Sequence, residues 1–417
     1  MTNSKQVKEQ LEHGFYDAKI ISAQTDRYLQ AVLSFEKHFG ESDIEIFSAP
    51  GRTEICGNHT DHQHGQVLAA SINLDAIAVV SASLDNTITF ISDGYTPIFL
   101  SASDTTLIPE EAGTTIGLIK GILKGFEDRN YRTGGFKAYV TSDVLGGSGL
   151  SSSAAIETLV GTILSGLYND MTVSAVEIAQ IGQFAENKYF GKPCGLMDQV
   201  ACSVGGFVHI DFANPTAPCI EKINFDIKKH GYRLCIVDTK GSHADLTDEY
   251  ASIPSEMKQI AKHFGKECLS EVSYEEFIKQ FAQLKQFNND RALLRALHLF
   301  HENKRVADAV IALQNNDISG FLHIIKQSGD SSFKYLQNVY TNKDVFAQPI
   351  PLALSLTESF LQDKGVCRVH GGGFAGTIQV FIRSEFVDDY KHFIENFFGD
   401  GSCHILDIRK DGGVKVL

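Results

Sequence analysis

The run Val144-Leu-Gly-Gly-Ser-Gly-Leu-Ser-Ser-Ser-Ala-Ala155 gathers three glycines, four serine hydroxyls and a helix start into one short stretch. Ahead of it, Phe136-Lys-Ala-Tyr-Val-Thr-Ser142 alternates apolar and polar side chains, the period of a half-buried strand. Behind it, Ile156, Leu159, Val160, Ile163, Leu164 and Leu167 recur at three- and four-residue spacing, one apolar stripe of an amphipathic helix. The loop therefore joins a strand to a helix N-terminus, where the first N–H groups lack partners, the dipole is positive and an anion is favoured. Gly146, Gly147 and Gly149 let the backbone approach phosphate oxygens closely, and Ser151, Ser152 and Ser153 offer hydroxyls to phosphate or a magnesium ion. A nucleoside triphosphate fits this chemistry; a serine-rich N-cap after a glycine turn is the alternative. The Gly-Lys-Ser/Thr ending of a Walker loop does not occur, and the glycine spacing is not the dinucleotide fingerprint in a repeated strand-helix-strand context.

With 417 residues, 43% of them hydrophobic and 21% charged, the chain can bury a large core and is expected to form two domains. Its 37 basic and 51 acidic residues leave a net charge of −14, which argues against nucleic acid or an anionic membrane as partner. The opening Met1-Thr-Asn-Ser-Lys-Gln-Val-Lys-Glu9 has no apolar signal core and no later segment approaches a membrane span, so a cytoplasmic enzyme is expected, of unknown oligomeric state. Eight cysteines lie scattered without the paired spacing of a zinc or redox site.

The first forty residues read as helical, with Tyr28, Val32, Leu33 and Phe35 on a partly apolar face. Next, Ile44-Glu-Ile-Phe-Ser-Ala-Pro-Gly-Arg-Thr-Glu-Ile-Cys-Gly-Asn-His-Thr-Asp-His-Gln-His-Gly-Gln-Val-Leu68 leads to an apolar strand at Ala76–Ser83. Arg52, Glu54, Asn58, His59, Asp61, His62 and His64 make this loop unusually polar, a density that suits a polar ligand. Three readings compete. The histidines are incidental in a solvated loop; or His and Asp at alternate positions bind a metal; or a carboxylate and an imidazole bind vicinal sugar hydroxyls beside an arginine.

Farther on, Ser174-x-x-Glu177 predicts a capping box, with Glu186 near the end of its helix. Gly191-Lys-Pro-Cys-Gly-Leu-Met-Asp-Gln-Val-Ala201 then breaks the helix and restarts structure, carrying Asp198 either as a cap or as an ionised group put to use. Two prolines in Asn214-Pro-Thr-Ala-Pro218 suggest a crossover to a second domain. The strand Tyr232–Asp238, a helix begun within Gly241–Tyr250, helical periodicity over 273–340 and the glycine-rich turn Arg368-Val-His-Gly-Gly-Gly-Phe-Ala-Gly-Thr377 complete the chain.

Three of these stretches carry a resemblance. Gly149–Ala155 resembles the central loop of the GHMP kinase superfamily, Pro50-Gly-Arg-x-x-x-x-Gly-x-His-Thr-Asp61 resembles the galactokinase signature, and Arg368–Thr377 is similar to the third GHMP motif, which closes over the nucleotide region. The resemblance spans about Phe47 to the C-terminus and implies an α+β, two-domain GHMP kinase fold with the active site in the interdomain cleft. It places an N-terminal domain at 1–215, holding the ATP loop and the sugar motif, and a ferredoxin-like domain at 216–417. It also implies transfer of the ATP γ-phosphoryl group to the C1 hydroxyl of galactose. Asp198 would face that hydroxyl with Arg52 beside it; Asn58, His59, Asp61, Gly195 and Tyr250 would bind the sugar. Gly146, Gly147, Gly149, Ser151 and Ser152 would bind ATP, and Ser153 with Glu186 would hold Mg2+.

The sequence departs from the family's pattern at Asn58, where glutamate is usual, at His62 and Ser242, and at Ala375 and Thr377 in the third motif. In the family the missing glutamate contacts the sugar's C6 hydroxyl. An amide neither repels an anion nor requires a hydroxyl, so a C6 carboxylate is less excluded and galacturonate is an alternative substrate. On this reading Asn58→Glu keeps or improves galactose activity and loses any activity on galacturonate. A catalytically silent sugar and ATP sensor is the alternative from another class; the retained Asp198, Arg52, Glu186 and Ser153 speak against it.

Overall fold

The structure is a computed structural model that describes residues 7, 9, 11, 16, 20–146, 149–241 and 246–417. In chain order come helix α1 (Ile21–Phe39), strands β1 (Glu45–Cys56), β2 (Gln66–Ala82), β3 (Thr87–Ser92) and β4 (Ile98–Ser101), helix α2 (Thr115–Glu127) and strand β5 (Phe136–Ser142). Helices α3 (Ser152–Asn169), α4 (Ala175–Ala185) and α5 (Met197–Val204) follow, then β6 (Phe207–Asp211), β7 (Cys219–Ile223) and β8 (Tyr232–Asp238). The remainder comprises α6 (Thr247–His263), α7 (Tyr274–Phe287), α8 (Asp290–Gln314), α9 (Ile318–Ser331) and α10 (Pro349–Leu361), then β9 (Gly365–His370), β10 (Thr377–Arg383), α11 (Val387–Phe398), β11 (Cys403–Leu406) and β12 (Val414–Lys415).

Two sheets organise these elements. The larger runs β12-β1-β2-β5-β3-β4, with β6 also on β2 and β7 on β6; the smaller is β11-β8-β10-β9. β3 and β5 pair in parallel, and among the described residues the other strand pairs are antiparallel. The strand read at Ala76–Ser83 is the second half of β2, which begins ten residues earlier, at Gln66. On the edge away from β1, the first half of β2 pairs with β6 and the second half with β5, so that one edge of the long strand serves two neighbours. Both of its faces are covered, which removes the polar alternation that would have marked it as a single strand. On one face Phe47, Ala76, Ala78 and Val80 pack with Leu159, Val160 and Ile163 of α3. On the other, Ile46, Ile77 and Val79 meet Tyr28, Val32 and Phe35 of α1. Leu33, expected on that apolar face, is 55% exposed, because the buried stripe is narrower than the run of apolar letters.

Local signals account for several helix ends. Ser174 caps α4, its hydroxyl accepting from the Glu177 N–H at 3.2 Å while the Glu177 carboxylate takes the Ser174 N–H at 3.2 Å. That reciprocal box is worth about 1 kcal/mol. The smaller sheet buries Cys235, Val237, Ile378, Val380 and Ile382 against Ile350, Ala353 and Leu361 of α10 and Tyr390 and Ile394 of α11. Its opposite face joins the main core, where Phe381 packs edge-on against Phe321 of α9 with ring centroids 5.6 Å apart. All eight cysteines are free. Among the described residues no helix is long and apolar enough to cross a membrane.

Candidate active site

The β1–β2 register shifts between Pro50, which still faces Asp75, and Arg52, which faces Ser71. Proline cannot donate to the ladder, so such a shift in register is where it is tolerated. A side chain at Gly51 would lie 2.8 Å from the Leu150 carbonyl oxygen, so only glycine lets the serine-rich loop rest on this strand. The Arg52 N–H then donates to Leu150 O at 3.0 Å, and the Arg52 guanidinium donates to the Gly149 carbonyl. The proline-glycine-arginine triplet thereby joins the strand of the sugar motif to the phosphate loop.

From this position the Arg52 guanidinium forks onto Asp198, Nε to Oδ1 and Nη2 to Oδ2, both at 2.7 Å. Asp198 stands in the first turn of α5, and its side chain is 33% exposed to the cleft. The Ser151 hydroxyl also donates to Asp198 Oδ2. Burial pushes the Asp198 carboxyl up, but the Arg52 charge and these hydrogen bonds outweigh it and hold it below the ordinary aspartate value.

Ser151 has φ 56° and precedes α3 without using its side chain as a cap. Its hydroxyl is committed to Asp198 instead, so the first N–H groups of α3, at Ser152 and Ser153, remain available to an anion. Gly149, with φ 72°, lies against His370, 3.5 Å from where its Cβ would be. Among the described residues no atom stands within 4 Å of a Cβ at Gly146. Gly147 lies outside the described residues, as do Ser242 and His243.

The sugar-motif loop forms the rest of the cleft, a cavity of about 230 Å³ lined by Arg52, Glu54, Asn58, His59, Asp61, His62, Pro193 to Gly195, Met197, Asp198, Gly371 and Gly372. That is below the roughly 300–1,000 Å³ of sites for drug-sized ligands and suits a monosaccharide. A Cβ at Gly195 would sit 2.8 Å from Asp61 Oδ2, so glycine is required for Asp61 to stay in the pocket. His59 donates from Nε2 to Gly372 O at 3.0 Å, leaving Nδ1 buried and, among the described residues, without a partner. Burial, reinforced by neighbouring His62, lowers its pKa to about 4, so His59 is neutral near pH 7 and its Nδ1 accepts. Tyr250 sits behind Gly372, donates to Gly373 O at 2.6 Å and packs edge-on against Phe374.

The glycine turn of the third motif therefore meets the sugar loop through Gly371 and Gly372, and Tyr250 through Gly373, while His370 lies near Gly149 of the phosphate loop. His370 bridges Thr53 Oγ1 at 3.0 Å and Thr377 Oγ1 at 2.9 Å, so the departure at Thr377 supplies a partner for this buried ring.

Asn58 reaches the cleft wall but is fully buried, and its amide is occupied by protein. Nδ2 donates to both Glu54 oxygens at 3.2 Å and to Gly371 O at 2.7 Å; Oδ1 accepts from Asn338 Nδ2 at 2.7 Å. His298 and Glu302 of α8 brace the same loop, contacting Asn58 O at 3.0 Å and the Gly57 N–H at 3.1 Å.

Glu186 opens a single π turn, Glu186–Phe190, that continues α4. Its carboxylate accepts from Lys192 Nζ at 3.0 Å and from Gln199 Nε2 at 2.8 Å, and Gln199 also donates to Glu157 at 2.9 Å. Burial, and then Glu186, push the Glu157 carboxyl well above its ordinary value. Sequence reading missed Glu157, Gln199 and Lys192 as parts of this site; the available signal was a glutamate amid the apolar residues of α3. No group of three or more His, Cys, Asp or Glu side chains suited to a metal occurs among the described residues, so the reading of His59, Asp61, His62 and His64 as a metal site finds no support there.

Residues 117–206 match the model of the GHMP kinases N terminal domain. The fold is similar to that of a galactokinase from Lactococcus lactis solved with galactose (TM-score 0.77, 22% identity, covering 93% of this chain and all of that one). It is also similar to the mevalonate kinase of Methanococcus jannaschii (TM-score 0.62, 15% identity, covering 88% and 99%). The protein thus has the two-domain α+β GHMP kinase fold, with its site in the cleft between the two parts. Residues 33–82 match the galactokinase galactose-binding signature. Galactokinases of Glaesserella parasuis serovar 5 and Actinobacillus pleuropneumoniae are 34% and 32% identical over 375 and 377 residues, each match covering 87% of this chain and 92% of the relative. The chain belongs to the galactokinase family and is a kinase of the phosphotransferase class.

Proposed function

We propose that the protein transfers the γ-phosphoryl group of ATP to the C1 hydroxyl of galactose. The observation that carries this reading is the Arg52–Asp198 fork at the junction of the phosphate loop and the sugar-sized cleft. Phosphoryl transfer through a loose transition state needs alignment and charge stabilisation more than a strong base. Asp198 suits that demand. Arg52 keeps it ionised and so weakens it as a base, which makes its part the orientation of the C1 hydroxyl and late acceptance of its proton at the less engaged Oδ1. Arg52 in turn offers positive charge to the moving phosphoryl group.

Gly146, Gly147, Gly149, Ser151 and Ser152 are assigned to ATP, with the α3 N-terminus facing its phosphates. His59 Nδ1 and Asp61 are assigned to sugar hydroxyls, Gly195 to the space Asp61 needs, and Tyr250 to the support of Gly372. The donor set fits magnesium, which takes one or two protein ligands and completes its shell with water and phosphate oxygens. Glu186 and the Ser153 hydroxyl would hold it, with Lys192, 62% exposed, swinging away from Glu186. There the ion would neutralise phosphate charge. In this proposal the N-terminal part to residue 215 binds both substrates and the remainder closes the cleft, in the cytoplasm, where eight free cysteines stay reduced.

The test is ADP release by purified protein with Mg·ATP and galactose, galacturonate, N-acetylgalactosamine or glucose. Galactose is expected to be turned over best. No turnover with any sugar would overturn the reading in favour of a sensor.

A further inference from the structure

One carboxylate of the cleft wall, Glu54, stands outside the roles proposed above. Glu54 lies in β1, two residues beyond Arg52, and lines the cavity although it is only 5% exposed. Its side chain is fixed from two directions. Arg368 Nη2 donates to Oε1 at 2.8 Å, and the Asn58 amide spans both oxygens at 3.2 Å. Arg368 is itself locked by donation to Ile55 O and belongs to β9 of the smaller sheet. A carboxylate offers about four acceptor sites, and two donors do not exhaust them; among the described residues Oε2 receives only the shared Asn58 contact. Asn58, by contrast, has both amide hydrogens and its oxygen engaged by protein groups.

We propose that Glu54 is a specificity-determining residue of the sugar site, its Oε2 accepting a hydrogen bond from one hydroxyl of the bound sugar. In this arrangement Arg368 and Asn58 are positioning residues. Glu54 lies 314 positions in sequence from Arg368, so closure of the β9–β10 turn over the sugar loop also sets the acceptor. A hydroxyl donor fits this wall and an anionic substituent does not. This inference rests on the sugar-kinase reading above.

The experiment compares kcat/KM for galactose with that for 2-, 3-, 4- and 6-deoxygalactose, in wild-type protein and in Glu54→Gln, with the KM for ATP measured alongside. A hydrogen bond to a charged acceptor is worth roughly tenfold to a hundredfold, so one deoxy sugar is expected to carry a penalty of that size in wild type that largely disappears in the variant. ATP KM is expected to stay constant. A uniform drop for all five sugars, with unchanged ratios, overturns the proposal and makes Glu54 structural. Absence of turnover by the wild-type protein with every sugar overturns the kinase reading and the inference with it. Because Glu54→Gln leaves Arg368 buried without its counter-charge, Glu54→Asp is read in parallel. It keeps that pair and withdraws the acceptor by one methylene, and unchanged ratios in it overturn the proposal even if Glu54→Gln does not fold.

Discussion

Arg52 and Asp198, 146 positions apart in sequence, meet through two parallel hydrogen bonds of 2.7 Å. This fork joins β1, just after the register shift against β2, to the first turn of α5, and the glycine-serine loop attaches to both of its members, through the Gly149 carbonyl and the Ser151 hydroxyl. The glycine-serine loop, the strand carrying Arg52 and the aspartate of α5 thus form one connected unit.

Asp198→Asn preserves shape and removes the charge. Loss of a positioned proton acceptor costs about 10²–10⁴-fold in rate, so kcat for galactose is expected to fall by that range while ATP binding, followed by calorimetry, persists. Wild-type turnover in a folded variant would return Asp198 to a capping role.

Arg52→Lys keeps the positive charge but cannot make the planar fork. The expected loss is roughly 10²-fold in kcat, the scale for removing one preorganised donor, with a rise in ATP KM because Gly149 loses its anchor. Steady-state kinetics in both substrates separates the two effects; a change in neither contradicts the role given to the fork.

Glu186→Gln removes the charge while retaining contact with Gln199 through one oxygen. A titration of rate against magnesium is expected to shift to higher concentration, because a hard cation loses its carboxylate ligand. An unchanged titration assigns Glu186 to holding Lys192 and Gln199 alone.

Asn58→Glu, expected from the sequence to keep or improve galactose activity, now has the opposite expectation. Its amide lies 3.2 Å from both Glu54 oxygens, so the substitution sets two carboxylates against each other in a buried wall. At an effective dielectric constant of 20, like charges about 4 Å apart repel by about 4 kcal/mol. The variant is expected to melt at a lower temperature and to bind galactose more weakly. Unaltered melting, measured by differential scanning calorimetry, would show that the two side chains do not meet.

His370 gives a pH signature. Burial, then the charges of Arg52 and Arg368, depress its pKa to about 3, against an ordinary value of 6.5. The unfolded chain therefore binds this proton at higher pH than the folded one. The stability that the neutral ring confers is whole above pH 6.5 and falls as pH drops from 6.5 toward 3, by at most about 1.4 kcal/mol per pH unit. His370→Gln is expected to flatten the fall of melting temperature between pH 6.5 and 4.5; an equally steep fall in the variant places the titration elsewhere.

Much of the local structure was legible. Phe136–Ser142 alternates and forms β5, and the apolar stripe from Ile156 to Leu167 falls in α3. Ser174 and Glu177 form the capping box their spacing announces. In each case a few neighbouring residues fix the conformation. The long β2 was only half legible because strands on both sides and layers on both faces hide its period. The burial of Asp75, held by Arg27 at 2.6 Å and Arg409 at 2.9 Å, had no local sign, since its partners lie 48 and 334 positions away.

The sequence by itself determined which chemical groups this protein carries and which short segments display them: glycines and serines before a helix, an arginine after proline and glycine, and a polar loop rich in histidine. Side-chain chemistry and backbone freedom are local properties, so spacing along the chain is enough to read them. Only the tertiary structure decided which groups are spent on one another. Ser151 turns to Asp198 and leaves α3 uncapped, the amide of Asn58 is consumed by Glu54, Gly371 and Asn338, and Glu54 keeps acceptor capacity that no described residue uses at the wall of the cleft. Hydrogen-bonding capacity is finite and is divided among neighbours in space, and those neighbours come from strands and helices hundreds of residues apart.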